Sequence, residues 1–171
     1  MTNYIATPLQ SNTPWIPGAT FVIGAYFELT AGLANGDTIT WQNAITPSGI
    51  TAIEVKTITT QLDSNAAPTG TFEFGDSNGD ASALARYISG AKMGSNVAGQ
   101  QLITFSNVAP AFTAGVQSAG VGYNYFNDEN SATNEANGFE DLILTVTAGP
   151  ATAAATGTVW MYFTYYCVGN P

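Results

Sequence analysis

The sequence contains no histidine. Histidine is the commonest general base near neutral pH and the usual ligand of transition metals. Its absence excludes a Ser-His-Asp or Cys-His arrangement. Cysteine occurs once, at Cys167, so no internal disulfide forms and the redox compartment is not legible. Cys167 reads as a small apolar member of the last strand. Basic residues are nearly missing: Lys56, Arg86 and Lys92 stand against twelve acids, for a formal net charge of −9. A chain so poor in cations cannot neutralise many phosphates, which argues against nucleic acid and against an anionic membrane as partners. The longest nearly apolar run, Val159 to Val168, is too short to cross a bilayer as a helix and is interrupted by Thr164. Met1-Thr2-Asn3-Tyr4 has neither a basic start nor an apolar core, so no secretory signal is expected. No phosphate loop or dinucleotide fingerprint occurs, and no cofactor is expected.

What is present suits an all-β domain. The chain has 171 residues, 45% of them hydrophobic; at that size roughly 70% of the unfolded surface can be buried without metals or disulfides. Only 9% of residues are charged, against about 25% in ordinary soluble domains, so Thr, Ser, Asn, Gln and Gly supply the polar surface. Residues 1–19 carry Pro8, Pro14 and Pro17 and read as an extended arm anchored by Trp15 and Ile16. Residues 20–171 read as one β-sandwich.

In Thr20–Leu29, Phe21, Ile23, Ala25, Phe27 and Leu29 share one face. Further strands are expected at Thr38–Trp41, Ile50–Leu62, Thr71–Gly75, Gln101–Ser106, Val121–Phe126, Phe139–Thr147 and Thr156–Val168. In Ile50–Leu62 the alternation changes phase at Thr57-Ile58, which predicts a bulge or bend there. A two-turn helix is expected from Asp80, with Leu84, Tyr87 and Ile88 on one face and Gly90 as its stop. About eight strands, one short helix and long connections favour a jelly-roll-like antiparallel sandwich.

Candidate chemistry is sparse. Glu54 and Glu73 lie on predicted strands, and a glycosidase needs only two carboxylates facing one cleft; two solvated strand faces are the plainer reading. Asp76, Asn78 and Asp80 place oxygen ligands at alternate positions, like the start of a calcium loop. Ala81 and Tyr87 break the EF-hand pattern, and a turn with a capping aspartate is the simpler account. Asp128, Glu129 and Glu135 read as a solvated acidic loop.

The terminal strand stands out because both its faces are apolar. Val159, Met161, Phe163, Tyr165 and Cys167 line one; Trp160, Tyr162, Tyr166 and Val168 line the other. A strand with one wet face should alternate. Either the arm or a loop covers the second face, or another subunit does. Trp15, Trp160, Tyr162 and Tyr166 are therefore the candidate contact residues.

Three segments together carry a resemblance. They are Gly70-Thr71-Phe72-Glu73-Phe74-Gly75-Asp76 leading to Ala83–Gly90; Gly122-Tyr123-Asn124-Tyr125-Phe126 before an acidic loop; and Leu142-Ile143-Leu144-Thr145-Val146-Thr147 before Thr156-Gly157-Thr158-Val159 and the aromatic strand. Their order over residues 50–168 resembles the head decoration or cement proteins of tailed bacteriophages. That resemblance implies a jelly-roll-like, non-enzymatic virion protein, often trimeric. It implies assembly in the host cytoplasm and a seat on the capsid surface, where the protein bridges subunits of the major capsid protein. A glycan-binding jelly-roll module of a phage tail or fibre is the alternative, since exposed Trp and Tyr can stack on sugars.

Overall fold

Alternating apolar and polar residues suit a strand with one buried face, and the computed structural model of the chain is built from such strands. It describes residues 1–6, 18–45, 50–76, 85, 87–97, 99–105, 112–113, 116–117 and 140–167. The strands are β1 (Asn3–Ala6), β2 (Thr20–Leu29), β3 (Thr38–Ile45), β4 (Ile50–Thr59), β5 (Thr71–Asp76), β6 (Ile88–Lys92), β7 (Leu102–Phe105), β8 (Phe112–Thr113), β9 (Val116–Gln117), β10 (Glu140–Ala148) and β11 (Gly157–Cys167).

One sheet has the order β1-β3-β10-β5-β6 and the other β2-β11-β4-β7, with β8 and β9 a separate small hairpin. The successive strands β2 and β3, β4 and β5, β6 and β7, and β10 and β11 fall in opposite sheets. That weave, antiparallel except where β1 joins β3 in parallel, is the expected jelly-roll-like sandwich. The sheets meet through aromatic rings: Phe74 touches Tyr87 at 6.3 Å between centroids, and Tyr87 meets Phe163 edge-on at 5.4 Å. Each such buried ring contributes about 2–3 kcal/mol.

Two local expectations are corrected. Tyr87 is buried, and Ile88 begins strand β6 rather than continuing a helix. Gly90, with φ 68°, is no helix stop: it lies where the β5–β6 register shifts between the Phe72 and Phe74 levels, the geometry of a bulge. Leu84 and the rest of 77–84 lie outside the described residues. The phase change in β4 falls earlier than Thr57-Ile58. Val55, Thr57 and Thr59 all face inward, and the extra residue is Ile53, skipped where Thr164 pairs with Glu54 and Tyr165 with Ala52. Thr57 and Thr59 hid this, because polar side chains on an inward face imitate a solvated one.

Within the segment expected as an arm, Asn3–Ala6 forms the edge strand β1. Buried Asp37 helps fix it: its carboxylate accepts from the Thr2 N–H at 2.6 Å and the Ala34 N–H at 2.9 Å. Tyr4 packs against Phe27 of the opposite sheet at 5.8 Å. Residues 7–17, including Trp15, and the strand expected at Val121–Phe126 lie outside the described residues.

A single carboxylate ties the loops at one end of the sandwich. Asp63 is fully buried. Its Oδ2 accepts from the N–H groups of Thr69, Gly70 and Ala151 at 2.8, 3.0 and 2.9 Å. Its Oδ1 accepts from Asn65 at 3.2 Å and Thr152 at 3.0 Å. Around it, Met93 O accepts from Leu62 and Asp63, and Met93 N–H donates to Gly70 O. The knot is tight at Gly94, where a Cβ would collide with the Asp63 carbonyl oxygen and approach Pro68 Cβ to 2.7 Å. Burial alone would raise the Asp63 pKa, but the backbone donors outweigh it and hold the carboxyl far below its ordinary value.

Asp63→Asn should cost about 3 kcal/mol in urea unfolding near neutral pH, since it turns an NH2 or a weaker acceptor toward fixed donors. A depressed pKa contributes stability above the unfolded value and loses it as pH falls toward the folded one. The gap between wild type and Asp63→Asn should therefore narrow on acidification below about pH 4. Thr57 and Thr59 have buried hydroxyls without a hydrogen-bond partner among the described residues. Thr57→Val and Thr59→Val should each raise stability by about 1 kcal/mol, read from the denaturation midpoint.

A candidate interaction surface

Among the described residues, the outward side chains of the β2-β11-β4-β7 sheet form an unusually apolar surface. β11 is central, so its outward residues are flanked on both sides. Trp160 lies between Tyr26 and Ile58, Tyr162 between Gly24 and Lys56, and Thr164 between Val22 and Glu54. β7 extends the rows, placing Ile103 beside Ile58 and Phe105 beside Lys56. Lys56 Nζ sits over the Tyr162 ring, 4.8 Å from its centroid, a cation–π contact that holds the lysine flat on the sheet.

This face is open. Val22 is 61% exposed, Tyr26 50%, Ile103 56%, Phe105 52% and Tyr166 37%, while Trp160 and Tyr162 are half-buried by their neighbours. Contiguous exposed apolar side chains of this kind mark interaction sites on soluble proteins. The outer face of the other sheet is different: Thr38 and Thr40 hydroxyls donate to Asn3 Oδ1, and Thr71 and Thr147 hydroxyls meet at 3.0 Å.

Of the candidate contact residues, Trp160, Tyr162 and Tyr166 come together on this one face. Tyr26, Val22, Ile103 and Phe105 join them, and the sequence reading did not single these out. Val22 and Tyr26 sit on the polar side of an apparently ordinary alternating strand. Only the pairing of β2 and β7 around β11 places them beside Trp160.

Glu54 and Glu73 do not face one cleft. Glu54 points outward from β4 of one sheet, and Glu73 outward from β5 of the other, so the whole sandwich separates them. Asp76 is buried and accepts a hydrogen bond from the Tyr87 hydroxyl at 2.7 Å. Asn78, Asp80, Asp128, Glu129 and Glu135 lie outside the described residues, as does the Cys167 side chain. Among the described residues no three acidic, histidine or cysteine side chains gather as a metal would require.

Phe105→Ser on this face should change folding stability by about 1 kcal/mol or less, whereas Phe163→Ala, on the buried side of β11, should cost about 3–5 kcal/mol. Urea denaturation of both variants reads the contrast.

No protein-family model matches the sequence, and no curated protein does. Solved structures do match. A chain of the cyanophage Pam1 capsid asymmetric unit superposes with a TM-score of 0.59 at 23% identity, over 93% of this chain and 92% of that one. A chain of the Ralstonia phage GP4 capsid superposes with a TM-score of 0.64 at 20% identity, over 99% of this chain and 100% of that one. At these identities the likeness is one of fold, and it runs nearly end to end.

Proposed function

We propose that this chain is a virion structural protein: a decoration or cement subunit that sits on the outside of a phage capsid and stabilises it by bridging subunits of the major capsid protein. The observation that carries the reading is the near end-to-end fold likeness to chains of two phage capsid structures. A fold alone does not assign a function, so the surface must contribute. An open apolar face on a rigid sheet suits persistent protein contact better than turnover of a small substrate. The missing histidines point the same way. Each weak contact gains from being one of several on a particle, so modest surfaces suffice when many copies bind one shell.

The test compares particles assembled with and without the protein. Cofractionation with capsids and a higher temperature of capsid disruption are expected. Absence from purified particles, or no change in their disruption temperature, would overturn the reading. Saturable binding in a glycan screen without capsid association would also overturn it, and would favour a glycan-binding module.

A further inference from the structure

We infer that the free edge of β2 takes up an extended segment of a neighbouring capsid chain, which adds a strand to the β2-β11-β4-β7 sheet. The inference rests on the capsid reading above and gives it a site and a form of partner.

The direction of the backbone hydrogen bonds is the first argument. Thr158 O accepts from the Thr60 N–H at 3.0 Å, and the Thr158 N–H donates to Thr60 Oγ1 at 2.9 Å. Thr158 thus turns both backbone groups toward the β4 side. These groups alternate sides along a strand, so Val159, Met161, Phe163 and Tyr165 turn theirs toward β2. Their partners there are Phe27, Ala25, Ile23 and Phe21. Val22, Gly24, Tyr26 and Glu28 therefore turn their N–H and C=O groups away from β11. Those groups have no partner among the described residues.

The second argument is that this edge is unguarded. Proteins keep exposed sheet edges short, bulged or charged. At the other edges β1 and β7 have four residues each, and β6 has five with a register shift. β2 runs for ten residues without proline, lysine or arginine, and its register with β11 has no shift.

The third argument is the open end of the core, and it defines the occupant. β2 approaches β3, and β7 approaches β6, so the four-stranded sheet stops one strand short of the five-stranded one. Among the described residues no strand lies opposite β1. Tyr4 of β1 and Phe21 and Phe27 of β2 pack against the core yet stay only partly buried. A strand beside β2 would lie opposite β1 and cover them. It must be extended, and apolar at the alternate positions that face these rings. Reaching from Phe21 to Phe27 takes about 20 Å, or roughly seven residues. Glu28 is the one charged residue of β2, and the chain carries −9, so an acidic segment is disfavoured. In such strand addition the main chain supplies affinity and the alternate side chains supply choice. One added strand is a modest contact, which suits many copies on one shell.

The test is amide hydrogen exchange of the full chain, free and bound to capsids assembled without it. In the free chain the Phe21, Ile23, Ala25 and Phe27 amides should exchange slowly and the Val22, Gly24 and Tyr26 amides fast. On capsids the second set should slow by about tenfold or more. Val22→Pro removes an outward N–H and no bond to β11, so it should weaken capsid binding about tenfold. Val22→Thr keeps that donor and should bind within about threefold of wild type. Thermal unfolding reports whether both variants fold, and the exchange pattern of the wild type decides if Val22→Pro does not. Slow exchange of the second set in the free chain would mean that this chain or its copies already cover the edge, and would overturn the inference. Capsid binding with those amides still fast would also overturn it, while leaving the capsid reading in place. No binding to capsids at all would overturn both.

Discussion

The buried carboxylate of Asp63 is the interaction on which one end of the sandwich depends. Two loops from distant parts of the chain, around residues 63–70 and 149–154, have no regular ladder between them. They still bring five backbone N–H groups to one point. Five donors pointing at one place would repel without an anion, and a buried anion without them would shift its pKa upward and neutralise. Each side therefore requires the other. The resulting knot fixes the turn into β5 and the turn into β11. It also explains why glycine is needed at position 94, where the backbone of Asp63 leaves no room for a side chain.

Most of the fold was legible because alternation is a direct consequence of a pleated, half-buried strand. Thr20–Leu29 was read to the residue, and the central apolar strand ending at Cys167 was read within one residue at each end. The failures share a cause. Tyr87 and Ile88 are both buried because the chain bends into β6, and two adjacent apolar residues with Leu84 before them imitate a helical face. Thr57 and Thr59 are inward but polar, so they shifted the apparent bulge away from Ile53. Asp63 was not singled out at all. Nothing in sequence distinguishes an aspartate in a loop that will gather donors from one that will meet water.

The candidate surface was legible only in its central strand. Trp160, Tyr162 and Tyr166 announced themselves because an aromatic run with two dry faces needs a covering. The outer members did not, since Val22 and Tyr26 occupy the side of β2 that also carries Thr20 and Glu28. Strand order, which the sequence does not encode locally, turns these scattered residues into a continuous apolar surface.

The strand order also carries a consequence for how the molecule comes into being. β10 separates β3 from β5, and β11 separates β2 from β4, so both sheets have a middle strand drawn from residues 140–167. While the chain is being synthesised, β3 can pair only with β1, β4 only with β7 and β5 only with β6, and β2 has no described partner until β11. Neither sheet can close until the last two described strands arrive. The pairings of β10 and β11 all span long stretches of sequence, which slows folding and leaves strand edges exposed beforehand. A growing chain of this kind stays unfinished until residues 140–167 are available to join the two parts of each sheet.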